Sequence, residues 1–307
     1  MRPRLGRPDI RRYADRFGLP QSDDGLGVTF LGVATLLLDD GTTSVLTDGF
    51  FSRPSLPRVL LGKIGPDAAR IDAALARARI DRLDAVAPVH THYDHAMDSA
   101  VVAARTGATL YGGTSTAHVG SGGGLPADRV EVVVPGAPVT IGGFRLTWLE
   151  SEHCPPDRFP GTITEPVVPP VKVGAYRCGE AWSILVEHDS GRTALVQGSA
   201  GFVPGSLAGR SAEVAYLGVG QLGVQSADYI RRYWAETVET VGAREVVLIH
   251  WDDFFRPLDR PLRCVPYLGD DLDATMDVIA GLARDQGVGL HFPSVGRRED
   301  PWRLSRR

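Results

Sequence analysis

Six residues, His90-Thr91-His92-Tyr93-Asp94-His95, constrain this chain more than any other stretch. Three imidazoles and a carboxylate follow directly on the apolar run Ala85-Val86-Ala87-Pro88-Val89. That order reads as a buried strand ending in a loop that opens a helix at about Ala96. In an extended backbone alternate side chains leave the same side, so His90 and His92 point together. Asp94 and His95 fall at the helix start, where they can face a second point. A lone histidine is usually surface or core. Four such groups at this spacing, at a strand end, are the donor set that zinc takes. One loop could therefore feed two adjacent metal ions.

With Asp98 the run extends to H-x-H-x-D-H-x-D. It resembles the signature of the metallo-β-lactamase superfamily. Within it, the chain is similar to the group containing L-ascorbate-6-phosphate lactonase and N-acylphosphatidylethanolamine-hydrolysing phospholipase D. The opening Gly32-Val33-Ala34-Thr35-Leu36-Leu37-Leu38, then Leu46-Thr47-Asp48-Gly49-Phe50-Phe51-Ser52, and the late Ile249-His250-Trp251 carry that likeness. It runs from about Gly27 to about Trp251. It implies a mixed α/β fold, a four-layer αββα sandwich with metals at one edge of two sheets. It also implies roles. His90, His92 and His153 would hold a first ion, and Asp94, His95 and His250 a second. Asp94 would also act catalytically. Asp48 would support the ligands from behind.

The pattern departs from its relatives once. Where they carry Gly-Asp-Ser/Thr-Gly after the second hairpin, this chain has Gln197-Gly198-Ser199-Ala200-Gly201. Ser199 stands where the relatives' aspartate bridges the two metals. Losing that charge makes two adjacent dications harder to hold. Asp252 and Asp253 are the candidates to substitute for it, with turn capping as their alternative role.

The rest of the chain reads as strands over 28–40 and 43–48, joined at Asp39-Asp40-Gly41, a hairpin signal. A loop over 53–66 precedes an Ala-rich helix over 68–79, and a helix runs to about Arg105. A short strand over 109–111 follows, then a flexible loop over 121–124 with His118 at the surface before it. Strands cover 130–134 and 139–149, with a turn at Gly142-Gly143. A hairpin follows over 182–187 and 193–196, then a strand over 213–219, a helix over 227–241, a strand over 245–249 and a helix over 272–285. Residues 155–179 hold six prolines and no periodic pattern. A connection of that length is usually functional or disordered. Directly after His153 it is a candidate lid, with Arg158, Phe159 and Tyr176 as candidate substrate contacts. Cys154 would point away from the metals as a buried thiol. The expected organisation is an N-terminal arm over 1–24 and a single domain over 25–307 with a lid-like insertion at about 155–179.

Composition narrows function. The apolar fraction of 43% suits a sizeable core. A net charge of −4 offers no basic field for nucleic acid, so nuclease chemistry is disfavoured. Three scattered cysteines form no disulfide framework and suggest a reducing, cytoplasmic setting. The N-terminus carries Arg2, Arg4, Arg7, Arg11, Arg12 and Arg16 without an apolar core, so it is not a secretory signal. It could touch anionic lipid, stay solvated or pack on its own domain. No apolar run is long enough to span a bilayer. The expectation is a metal-dependent hydrolase of an ester, lactone, phosphodiester or amide bond, in a small molecule or lipid. It would use Zn2+, one ion or two, with Mn2+ or Fe2+ as alternatives. The rival is a catalytically impaired binding or structural protein marked by Ser199. Residues alone leave the oligomer open.

Overall fold

In the computed structural model residues 4–304 are described; Arg2 of the basic arm lies outside them. The first apolar stretch folds as two strands rather than one. β1 (Gly27–Phe30) and β2 (Leu36–Asp39) pair antiparallel around a turn in which Leu31 N–H donates to Thr35 O and Thr35 N–H to Gly32 O. The apolar run hides the break because β1 is buried along its whole length. β2 and β3 (Ser44–Thr47) form the expected hairpin, closed by Asp40, whose carboxylate accepts from the Thr42 and Thr43 amides.

From β3 the chain crosses α1 (Leu56–Leu61), where the sequence reading placed only loop, and α2 (Ala68–Ala78). Pro57 in the first turn and Gly62 at the end punctuate α1 as a short helix. β4 (Ala85–Ala87) then lies parallel to β3. The helix expected from Ala96 begins earlier and is split into α3 (Tyr93–Ala96) and α4 (Ser99–Thr106). After β5 (Thr109–Gly112) comes α5 (Thr114–Gly122), which takes in His118 and the first half of the expected glycine loop. Gly120 fits there because a Cβ would press on Leu110 and Val130.

β6 (Val130–Val132) completes one side of the first sheet. The second sheet begins with β7 (Pro138–Ile141) and β8 (Phe144–Ser151), split at the Gly142-Gly143 turn. It continues through β9 (Ala181–His188), β10 (Thr193–Gln197) and β11 (Val214–Gly218). α6 (Ala227–Trp234) leads to β12 (Glu245–Ile249), and α7 (Leu272–Gln286) to β13 (Gly289–His291). β14 (Arg298–Glu299) returns to pair with β1. The strand orders are β14-β1-β2-β3-β4-β5-β6 and β13-β12-β11-β10-β9-β8-β7, seven strands each.

Alternation distributes the side chains. Leu36, Leu38, Val45, Ala85 and Ala87 join the core shared with Trp148, Leu185, Val196 and Val247 of the second sheet. Leu46 and Val86, on the opposite face, pack with Ile71, Leu75 and Val102 of the helices. A third cluster, with Phe50, Tyr93, Met97, Ile163, Val167 and Tyr176, ties the long 155–179 segment to α3. The N-terminal segment packs on the fold: Leu19 is buried in the main core, and Phe17 stacks on Phe292. Among the described residues no helix is long and apolar enough to cross a membrane.

Candidate metal centre

The predicted ligands arrive from separate strand ends. His90 and His92 follow β4, and α3 carries Asp94 and His95. His153 lies just past β8 and His250 directly past β12. They converge as two groups, His90/His92/His153 and Asp94/His95/His250, with donor atoms inside each group within 4.8 Å of one another. The turn between β1 and β2 helps set the second group. His250 N–H donates to Val33 O at 2.7 Å, and both residues hold positive φ, uncommon for such side chains. Asp48 is a third, at φ 55. Such conformations persist only where the surroundings hold them.

Burial and mutual repulsion favour the uncharged forms of His90 and His153, whereas Asp94 favours the charged form of His250. Burial drives the His90 pKa well below its ordinary value, helped by its imidazole neighbours. His153 falls to about 4, from burial and then His92. The Asp94 carboxyl stays well below the usual range although burial opposes it, because His95 and His250 adjoin it. The set fits a divalent cation on local grounds. His95 Nδ1 lies 2.7 Å from Asp48 Oδ2, so it donates there and its Nε2 carries a lone pair. That Nε2 faces His250 Nε2 at 3.2 Å. In the other group His90 Nε2 lies 3.2 Å from His92 Nδ1. Converging lone pairs, with no lysine or arginine among them, are what a cation would satisfy.

The other Asp48 oxygen accepts from Val89 N–H at 2.9 Å, fixing the loop before His90. Asp98 holds the neighbouring loop, accepting from the Phe51 and Ser52 amides. Ser199 does not face a carboxylate's task. Its hydroxyl accepts from Cys154 N–H at 3.0 Å, joining the ends of β10 and β8. Neither Asp252 nor Asp253 replaces the missing bridge. Asp252 is buried against Arg53 at 2.7 Å and accepts from Val33 N–H, while Asp253 pairs with Arg7 and Arg263. Cys154 is buried and outside both groups, and burial pushes its thiol pKa up to about 12. Phe159 sets its ring edge-on to His92, centroids 6.3 Å apart. Arg158 is exposed, and Tyr176 is buried in the third cluster with its hydroxyl unpartnered.

Two contributors carry no sequence signal. Asp157 Oδ1 lies 3.2 Å from His92 Nε2, and this pairing holds its pKa at about 2 against the opposing effect of burial. His92 Nε2–H then donates outward and leaves Nδ1, 3.2 Å from His90 Nε2, for a metal. Only the folded lid brings Asp157 there. Gln197 spreads its amide over Ser199 O and Gly201 O at 2.9 and 2.8 Å, shaping the loop after β10. Gly201 must be glycine in that loop, since a Cβ would sit 2.1 Å from Glu152 O.

No family model and no curated protein matches the chain. Solved structures do. A candidate metal-dependent hydrolase from Parabacteroides distasonis ATCC 8503 is similar with a TM-score of 0.55 at 12% identity, covering 91% of this chain and 100% of that one. An isothiocyanate hydrolase from Delia radicum gut bacteria gives 0.54 at 14%, covering 89% and 98%. CmlA, a diiron β-hydroxylase from Streptomyces venezuelae, gives 0.52 at 14%, covering 90% of this chain and 54% of that one. At such identities the likeness carries the fold alone. Two seven-stranded sheets flanked by helices make the αββα sandwich of the metallo-β-lactamase type.

Proposed function

We propose that the chain is a metal-dependent hydrolase. The observation that carries this reading is the convergence of His90/His92/His153 and Asp94/His95/His250 from separate elements at one edge of the sandwich. Zinc is the ion the imidazole-rich set favours, with iron and manganese as alternatives. A divalent metal held there would supply a Lewis acid that acidifies water and polarises a carbonyl or phosphoryl oxygen.

The chain's own residues do the rest. Asp94 stays ionised beside His95 and His250, so its carboxylate can accept a hydrogen bond from a water and orient it. Asp48 and Asp157 fix His95 and His92 in the tautomers that keep their inward nitrogens free. Phe159 and the lid behind it shield the His92 side from solvent. The substrate is an ester, lactone, phosphodiester or amide of a small molecule or lipid. The Gly32–Leu38 and Leu46–Ser52 segments support kinship with the lactonase and phospholipase D-like group. Each group brings three donors together, which favours an enzyme over a binding protein.

A panel of chromogenic esters, lactones and phosphodiesters tests this. Turnover of at least one class should vanish on chelation and return with metal. A fully metal-loaded protein that turns over none of them would count against the hydrolase reading.

A further inference from the structure

Beside the first ligand group lies a cavity of about 240 Å³ that the chemistry above does not use. His153 forms one wall, so the cavity adjoins the proposed metal centre. Its size falls below that of a whole drug-sized pocket, roughly 300–1,000 Å³, and suits one portion of a substrate.

The lining has one apolar side and one cationic end. Phe202 and Tyr229 lie with ring centroids 5.5 Å apart, and Pro155 completes the apolar wall. Tyr229 is pinned, its hydroxyl donating to Ala200 O at 2.9 Å, so the wall is built before any ligand arrives. Arg232 projects from α6 over Phe202, its guanidinium 5.5 Å from the ring centroid. The neighbouring Arg231 spends its charge on Asp228 at 2.7 Å. Among the described residues Arg232 has no carboxylate within 4 Å, and its N–H donors make no hydrogen bond. A guanidinium held over an aromatic ring, with its fork of donors unspent, is suited to a carboxylate. Glu152 also lines the cavity and offsets that charge, which disfavours polyanions and leaves room for a single negative group.

We propose that this cavity is a specificity subsite for the non-reacting part of the substrate, an apolar or aromatic body ending in one carboxylate that Arg232 receives. The assignment to substrate rests on the hydrolase reading; the binding does not. Calorimetric titration with 3-phenylpropionate and its uncharged amide therefore separates the two. The native protein should bind the carboxylate more tightly than the amide. Arg232→Met should weaken the carboxylate about tenfold, the scale of a lost charged hydrogen bond, and leave the amide unchanged. Arg232→Lys should recover part of the loss. Phe202→Ala should weaken both ligands, and Glu152→Gln should tighten the carboxylate alone. Arg232→Met with an unchanged carboxylate affinity would place that group elsewhere, on the metal for example, and overturn the proposal. A protein that binds as described yet hydrolyses nothing would retain the subsite and refute only the hydrolase reading.

Discussion

Asp157 shows how much a single side chain can decide at the centre. It touches no reacting atom, yet together with the Phe159 carbonyl, 3.3 Å from the same nitrogen, it sets which nitrogen of His92 carries the proton. Asp157→Ala should weaken metal binding at the first group by ~10–100-fold, the range for an outer partner of a metal ligand. Asp157→Asn keeps an accepting oxygen and should recover much of that affinity. Competition against a fluorescent chelator reads both values, and equal affinity in native and Asp157→Ala protein would remove the aspartate from this role. Ser199 poses the opposite question. Asp94 is the sole carboxylate in the two ligand groups, so a second ion meets little compensating charge. The first ion should therefore bind more tightly than the second. Ser199→Asp should raise the second affinity while its carboxylate still accepts from Cys154 N–H. Two equal, tight sites in the native chain, seen by calorimetry, would show that Ser199 has no such effect.

At the scale of elements, the residues that converge at the candidate centre were legible where local order encodes them. His90, His92, Asp94 and His95 stand together after a strand, and His153 and His250 each end a strand with a readable pattern. Asp157 and Gln197 were not, because only tertiary folding makes their contacts. Elements were lost for equally physical reasons. The β1–β2 turn sits between apolar runs, so no polar break marks it. α1 spans six residues, too few for a helical period to emerge. The 155–179 segment is better anchored than its composition suggests: Ile163, Val167 and Tyr176 are core, while 164–166 are exposed. Removing 164–166 and closing the gap with glycine should shift substrate preference and leave metal content intact. An unchanged profile across a hydrolase panel would mean that the segment is not a substrate wall.

The whole molecule carries a pH dependence away from its active edge. Glu299, on β14, is buried against β1, and burial lifts its pKa from 4.5 to about 7 although Ser294 N–H hydrogen bonds oppose this. A raised carboxyl pKa favours the protonated folded state, so its contribution is full below pH 4.5 and is lost as pH rises through about 7. Glu299→Gln should be nearly silent at pH 4.5 and gain about 1–3 kcal/mol over the native protein at pH 8, a span that follows from proton linkage. Denaturant titrations at both values measure the difference; the same offset at each would contradict it.

The two-group metal centre is tested most directly by elemental analysis of the purified protein beside its His92→Ala and His95→Ala variants, each confirmed as folded by circular dichroism. The two ligand groups predict divalent metal in the native chain, with zinc first among the ions. They also predict that His92→Ala empties the first group and that His95→Ala removes only the more weakly held ion. A folded His92→Ala protein retaining the full native metal content would show that His90, His92 and His153 do not hold the first ion.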